Sequence, residues 1–166
     1  KREEVFVYNE STGNFDLYYH LAGKDITLSC LHLDEKKNLW MGTTSNGLYC
    51  LSGDKKISQP VTRGNIASIY EDSSKELWIC TWEEGLYRIK TDSTIENFRH
   101  DPKNPNSICA DFVRSCCEDN AGNLWIGTFH GLNRYEKSTG KFQLYTANAN
   151  KPDGLTHSSI WCIVKD

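Results

Sequence analysis

The chain has 166 residues, with 19 Lys and Arg against 22 Asp and Glu and a formal net charge of -3. That balance leaves no basic field to attract nucleic acid, and no run reaches the roughly 18 apolar residues a membrane span needs. Aromatic residues make up 11% of the chain, including 5 Trp and 8 Tyr, which suits strands with one buried face between polar turns.

In chain order, Tyr8-x3-Thr12-Gly13-x-Phe15-x-Leu17-Tyr18 is predicted to form the last two strands of a repeating unit. The same pattern returns as Tyr135-x3-Thr139-Gly140-x-Phe142-x-Leu144-Tyr145 at a constant offset of 127, so three repeats average about 42 residues. Between these copies lies the strongest signal. Leu39-Trp40-Met41-Gly42-Thr43 recurs as Leu77-Trp78-Ile79-Cys80-Thr81 and as Leu124-Trp125-Ile126-Gly127-Thr128. Six residues before each Trp stands an aspartate, Asp34, Asp72 or Asp119, and six or seven after it comes Gly47-Leu48, Gly85-Leu86 or Gly131-Leu132. Asp166 holds the aspartate position of a further copy.

Each repeat reads as four short antiparallel strands. The first alternates, as in Ile66-Ala67-Ser68-Ile69-Tyr70, and a turn rich in Asp, Asn, Lys, Ser and Gly follows. The aspartate opening that turn is expected to accept backbone N–H bonds from two or three residues on. The second strand is Leu-Trp-x-Gly-Thr, the third begins at Gly-Leu, and a turn such as Lys137-Ser138-Thr139-Gly140 leads into the fourth, Phe142 to Tyr145. The glycine of Trp-x-Gly-Thr is expected to permit close approach of a neighbouring sheet, with Cys80 taking its place in the second copy.

Sheets this short cannot bury both faces alone, so the copies must stack, and radial closure protects their edges. The expected fold is therefore all-β: a β-propeller segment of four-stranded antiparallel blades, about three and a half in number. Residues 1–27 make the second half of a blade. Blades follow at 28–65, 66–111 and 112–159, and 160–166 form the first strand of the next.

Chemistry is scarce. The cysteines Cys30, Cys50, Cys80, Cys109, Cys116, Cys117 and Cys162 are odd in number and contain no C-x-x-C, and the five histidines supply no ligand spacing. Most of these cysteines read as small buried hydrophobes. G-x-S-x-G, H-E-x-x-H and the phosphate-binding glycine loop are absent. Glu83 with Glu84 and Glu118 with Asp119 are adjacent, and strand neighbours point to opposite faces, so neither pair makes an acid/base dyad. No catalytic residue, metal site or cofactor is expected.

The pattern Asp-x-x-Gly-x-Leu-Trp-Ile-Gly-Thr, then Gly-Leu-x-x-Tyr, then Thr-Gly-x-Phe-x-x-Tyr resembles the two-component-regulator propeller repeat, most fully from Asp119 to Tyr145. The resemblance covers essentially the whole chain. It departs at Cys80, in the shortened first copy, and at Leu51 and Ile89, where Tyr is usual. It implies the periplasmic sensor region of a bacterial hybrid two-component system, with the histidine kinase elsewhere in the full protein. It also implies an oligosaccharide ligand, a homodimer, the remainder of the propeller as partner, and membrane attachment only through the full-length protein. The rivals are the propeller of a glycan-degrading enzyme and a protein-interaction scaffold.

The repeated tryptophans read as packing between blades. The candidate ligand face comes instead from what departs from the repeat. Loops after second strands and loops entering first strands open at the same end of a blade. They bring Trp82, Phe129 and His130 to one end with Arg63, Asn65, Asp111, Arg114 and His157. Aromatic faces and planar polar groups suit a sugar, whose C–H patches stack and whose hydroxyls need donors and acceptors.

Overall fold

Alternating side chains on short strands decide the architecture, because each sheet then has two apolar faces and each face needs a neighbouring sheet. The computed structural model describes residues 3–21, 26–52, 62–148 and 154–165. β1 (Glu3–Asn9) and β2 (Asn14–Leu21) form a leading two-stranded sheet. β3 (Leu28–Leu33), β4 (Leu39–Thr43) and β5 (Leu48–Leu51) make the first blade. β6 (Ile66–Glu71), β7 (Leu77–Thr81), β8 (Leu86–Ile89) and β9 (Ile95–Phe98) make the second. β10 (Val113–Glu118), β11 (Leu124–Thr128), β12 (Gly131–Glu136) and β13 (Lys141–Tyr145) make the third. Within each sheet every strand pairs antiparallel with the next one in the chain, and no element crosses between sheets. The fourth strand expected in the first blade falls at 53–61 and Asp166 at the chain end, both outside the described residues. Residues 160–165 carry no strand, unlike the first strand expected there.

The pleat sorts each Leu-Trp-x-Gly-Thr strand into two faces. Leu39, Met41 and Leu51 turn toward the leading sheet and pack with Val5, Ile26 and Tyr49. Trp40 and Leu48 turn the other way, onto Ile66, Leu77, Ile79 and Ile89 of the second blade. Trp78, Cys80 and Leu86 in turn meet Val113, Leu124, Ile126, Tyr135 and Phe142 of the third. One face looks back and one looks forward in every blade.

The aspartate six residues before each tryptophan has a larger task than capping a turn. Trp40, Trp78 and Trp125 each donate the indole N–H to Asp34, Asp72 and Asp119, at 2.9, 2.8 and 2.8 Å. The other carboxylate oxygen accepts backbone N–H groups from Asn38, Glu76 and Asn123, at 2.8, 3.0 and 2.9 Å. These donors stand four residues on rather than the two or three expected; Ser74 and Ala121 add bonds from two residues on. A buried indole N–H needs an acceptor, and this pairing supplies it in every blade. Desolvation works against the ionised form of Asp119, but bonds from Asn123, Trp125 and Ala121 prevail and bring its pKa down to about 2.

Glycine at Trp-x-Gly-Thr marks close approach between blades. A Cβ on Gly42 would lie 2.5 Å from Cys30 Sγ and 2.8 Å from Ile66 Cγ2; one on Gly127 would lie 2.8 Å from Ile160 Cγ2. Where Cys80 replaces glycine, the residue equivalent to Ile66 and Ile160 is Val113. The added CH2–SH is offset in part by the one carbon that Val113 lacks relative to isoleucine. Cys80, Cys116 and Cys117 are buried and Cys162 is exposed.

Candidate ligand-binding site

The loops at one end of the blades are tied together by main-chain bonds. Thr44, Trp82 and Phe129, each just after a second strand, donate N–H to the carbonyls of Thr27, Asn65 and Phe112, each just before a first strand, at 3.0, 3.1 and 3.2 Å. Gly47 and Gly85 then reach across to the next blade, donating to Gly64 and Asp111 carbonyls at 3.1 and 3.0 Å. The expected shared end of the two loop classes is thus built by backbone pairing.

A second repeated device sits beside it. The first strands β3, β6 and β10 contact one another and form the inner edge of the blades. In each, the register with the second strand skips one residue, leaving Ser29, Ala67 and Arg114 without a partner. Such a bulge re-aims its side chain, and it recurs next to functional sites. Two of the three bulge residues are small. The third is an arginine.

Around Arg114 the aromatic departures from the repeat converge. Trp82 lies 5.0 Å from Phe112, and Phe112 lies 5.3 Å from Phe129, centroid to centroid. Phe129 meets His130 edge-on at 6.2 Å. The Arg114 guanidinium carbon stands 4.9 Å from the Trp82 ring, 5.3 Å from Phe112 and 3.4 Å from Trp161. Trp82 is 37% exposed, Phe129 47% and Trp161 62%. This is an open aromatic shelf with a cation set into it.

The expected site residues divide on this frame. Trp82, Phe129, His130 and Arg114 are brought together. Asp111 sits at the rim, its carboxylate accepting from Arg99 Nη2 at 2.7 Å, Arg99 Nε at 3.1 Å and the His100 backbone N–H at 2.7 Å. It anchors the 99–111 loop and has few lone pairs left. Asn65 touches the shelf through its carbonyl, under Trp82. Arg63 and His157 are exposed, and no contact with the shelf is made by either among the described residues. Neighbouring Glu84 accepts from Thr62 Oγ1 and from Tyr87 OH, clamping the two loops of the second blade.

Phe112 and Trp161 were not among the expected site residues. Both carry a readable signal: Trp161 occupies the same repeat position as Ser29, Ala67 and Arg114, and Phe112 immediately precedes a first strand. Neither is a landmark of the repeat, and it is tertiary stacking that joins them to Trp82.

Among the described residues no group of three or more His, Cys, Asp or Glu side chains is placed to hold a metal ion. Among the described residues no helix is long and apolar enough to cross a membrane. What the shelf offers chemically is stacking surface, a fixed cation and imidazole or indole N–H donors.

No curated protein sequence matches the chain. Among solved structures, the extracellular domain of a protein described as a hybrid two component system from B. thetaiotaomicron aligns at 20% identity and a TM-score of 0.70. That alignment covers 82% of this chain and 20% of that one. The extracellular domain of a protein described as a one component system, from the same organism, gives 21% identity and a TM-score of 0.76, covering 97% of this chain and 22% of that one. Virginiamycin B lyase from Staphylococcus aureus gives 19% identity and a TM-score of 0.61, covering 91% and 46%. The chain thus spans about a fifth of the two receptor domains and under half of the lyase, and these likenesses establish the β-propeller fold. Residues 61–83 and 107–130 match the family described as Two component regulator propeller. Those two stretches each run through a Trp-x-Gly/Cys-Thr strand, and over them the chain is similar to the two component regulator propeller repeat.

Proposed function

We propose that this segment is a ligand-sensing part of the sensor region of a hybrid two-component system, that it takes an oligosaccharide, and that the signal passes to a histidine kinase elsewhere in the full protein. On this reading the segment lies in the periplasm, works in a homodimer, meets the membrane only through the full-length protein, and has no catalytic role of its own. The observation that carries the reading is the run Trp82–Phe112–Phe129, exposed at Trp82 and Phe129, with Arg114 against it. Sugar rings stack on such faces while hydroxyls bond to the polar groups at their rim. The similarity to receptor extracellular domains supports the same direction.

The test is binding by the full-length protein against a panel of plant and host glycan oligosaccharides. Trp82→Ala and His130→Ala should each weaken an identified oligosaccharide about tenfold or more while the unfolding midpoint stays unchanged. Undiminished binding in both would reject the shelf. A second reading has one observation behind it: virginiamycin B lyase shares the fold. Turnover of a bound glycan by the intact protein would favour that enzymatic reading.

A further inference from the structure

Arg114 stands among the rings of the shelf with no carboxylate beside it, unlike Arg88 and Arg99. Arg88 also stacks on a tryptophan, 5.2 Å from the Trp78 ring, but its guanidinium bonds Glu76 at 2.6 Å and Glu96 at 3.3 Å. Arg99 is paired with Asp111 at 2.7 Å. The Arg114 guanidinium lies within 4.9 Å of the Trp82 ring and 3.4 Å of the Trp161 ring, its Nε, like that of Arg134, is buried without a hydrogen-bond partner, and no ion pair reaches it among the described residues.

We infer that Arg114 receives an acidic group of the ligand, a uronate carboxylate or a sulfate ester, so that the shelf selects acidic oligosaccharides over neutral ones. The inference rests on the oligosaccharide reading above and narrows it. A guanidinium stays charged at all physiological pH, and its desolvated N–H groups are costly when left unpaired. Stacking against Trp161 and Trp82 fixes the plane and leaves the N–H edge as the part still to be satisfied. A carboxylate or sulfate fits that edge with two parallel charge-assisted bonds, while a neutral hydroxyl offers one weaker acceptor. The bulge places this arginine at the inner edge of the blades, where the equivalent residues are Ser29 and Ala67. Only the third blade aims a cation there.

The experiment compares acidic probes with their neutral counterparts on the full-length protein by calorimetric titration. Trigalacturonic acid and its full methyl ester test the carboxylate. A κ-carrageenan tetrasaccharide and its desulfated form test the sulfate. One acidic probe should bind about tenfold or more tighter than its neutral partner, and Arg114→Gln should abolish that difference. Arg114→Lys should restore only part of it. Should Arg114→Gln fail to fold, raising salt on the unaltered protein should weaken the acidic probe and leave the neutral one unchanged. Equal binding of acidic and neutral forms, or binding insensitive to both Arg114→Gln and salt, overturns the inference while leaving the oligosaccharide reading in place. Absence of binding by every probe, acidic and neutral, removes the oligosaccharide reading itself.

Discussion

The seam between the second and third blades and the seam between the first and second are built on one repeat, yet they are sealed differently. In the former, Trp78 is fully buried, stacked 5.9 Å from Phe98 and edge-on 5.5 Å from Tyr135. Lys137 of the third blade crosses it to Asp72 of the second at 2.7 Å while also holding Glu118 at 2.5 Å. In the latter, Trp40 is only partly buried, and the polar links are His32 to Glu71 at 3.4 Å and the exposed pair of Lys75 with Glu35. Trp125, which faces forward from the third blade, is partly exposed and covered by its own blade's Tyr145 at 5.4 Å. A forward tryptophan is therefore buried by what the following blade brings, not by its own position in the repeat.

The largest test of that contrast is truncation of the tryptophan itself. Trp78→Ala should cost about 3–5 kcal/mol of unfolding free energy, because it opens a cavity and strips Asp72 of its indole donor. Trp125→Ala should cost less than half as much in the same urea titration. Equal losses would show that burial in the following blade is not what gives the residue its weight.

The ionic crossing comes next. Lys137→Met leaves Asp72 and Glu118 buried without their cation, and should cost about 2–4 kcal/mol at neutral pH. Burial works to raise both carboxyls, but hydrogen bonds from Lys137 lead the effects that hold their folded pKa below the ordinary range. Their contribution is therefore present above the unfolded value of about 4 and disappears as pH falls through the folded values. In Lys137→Met the leading bond to each carboxylate is lost while burial and the bonds from Trp78, Glu76 and Ser73 remain, so the charged forms are held less well and protonation costs the variant less. Its deficit against the unaltered protein should be greatest near neutrality and shrink in acid. A deficit independent of pH would mean that Lys137 acts through its aliphatic stem.

The smallest effect probes the volume exchange. Gly42→Ala places a methyl 2.5 Å from Cys30 Sγ and should destabilise by about 1–3 kcal/mol. Adding Ile66→Val, which copies the Cys80 and Val113 arrangement of the next seam, should recover part of that loss. A double variant no better than the sum of its parts would separate the two positions.

Much of this was legible in residues alone, for identifiable reasons. Leu-Trp-x-Gly-Thr returns at 39–43, 77–81 and 124–128, and each copy is a second strand with those bounds. Strand alternation and repeat spacing are local, so sequence carries them. The close approach at Gly42 was also readable, since only a missing side chain explains a glycine inside a strand. The aspartate's bond to an indole six residues away was not, because it needs the turn to fold back over the second strand.

At the candidate site the division is the same. Sequence by itself determined that Trp82, Phe129 and His130 depart from the repeat and stand in loops opening at one end, because the repeat defines what counts as a departure. Tertiary structure alone decided that Phe112 bridges Trp82 and Phe129, that Trp161 covers Arg114, and that the Asp111 carboxylate is taken up by Arg99 and His100. Those facts depend on a one-residue bulge and on side chains from different loops meeting in space. Neither leaves a period in the sequence.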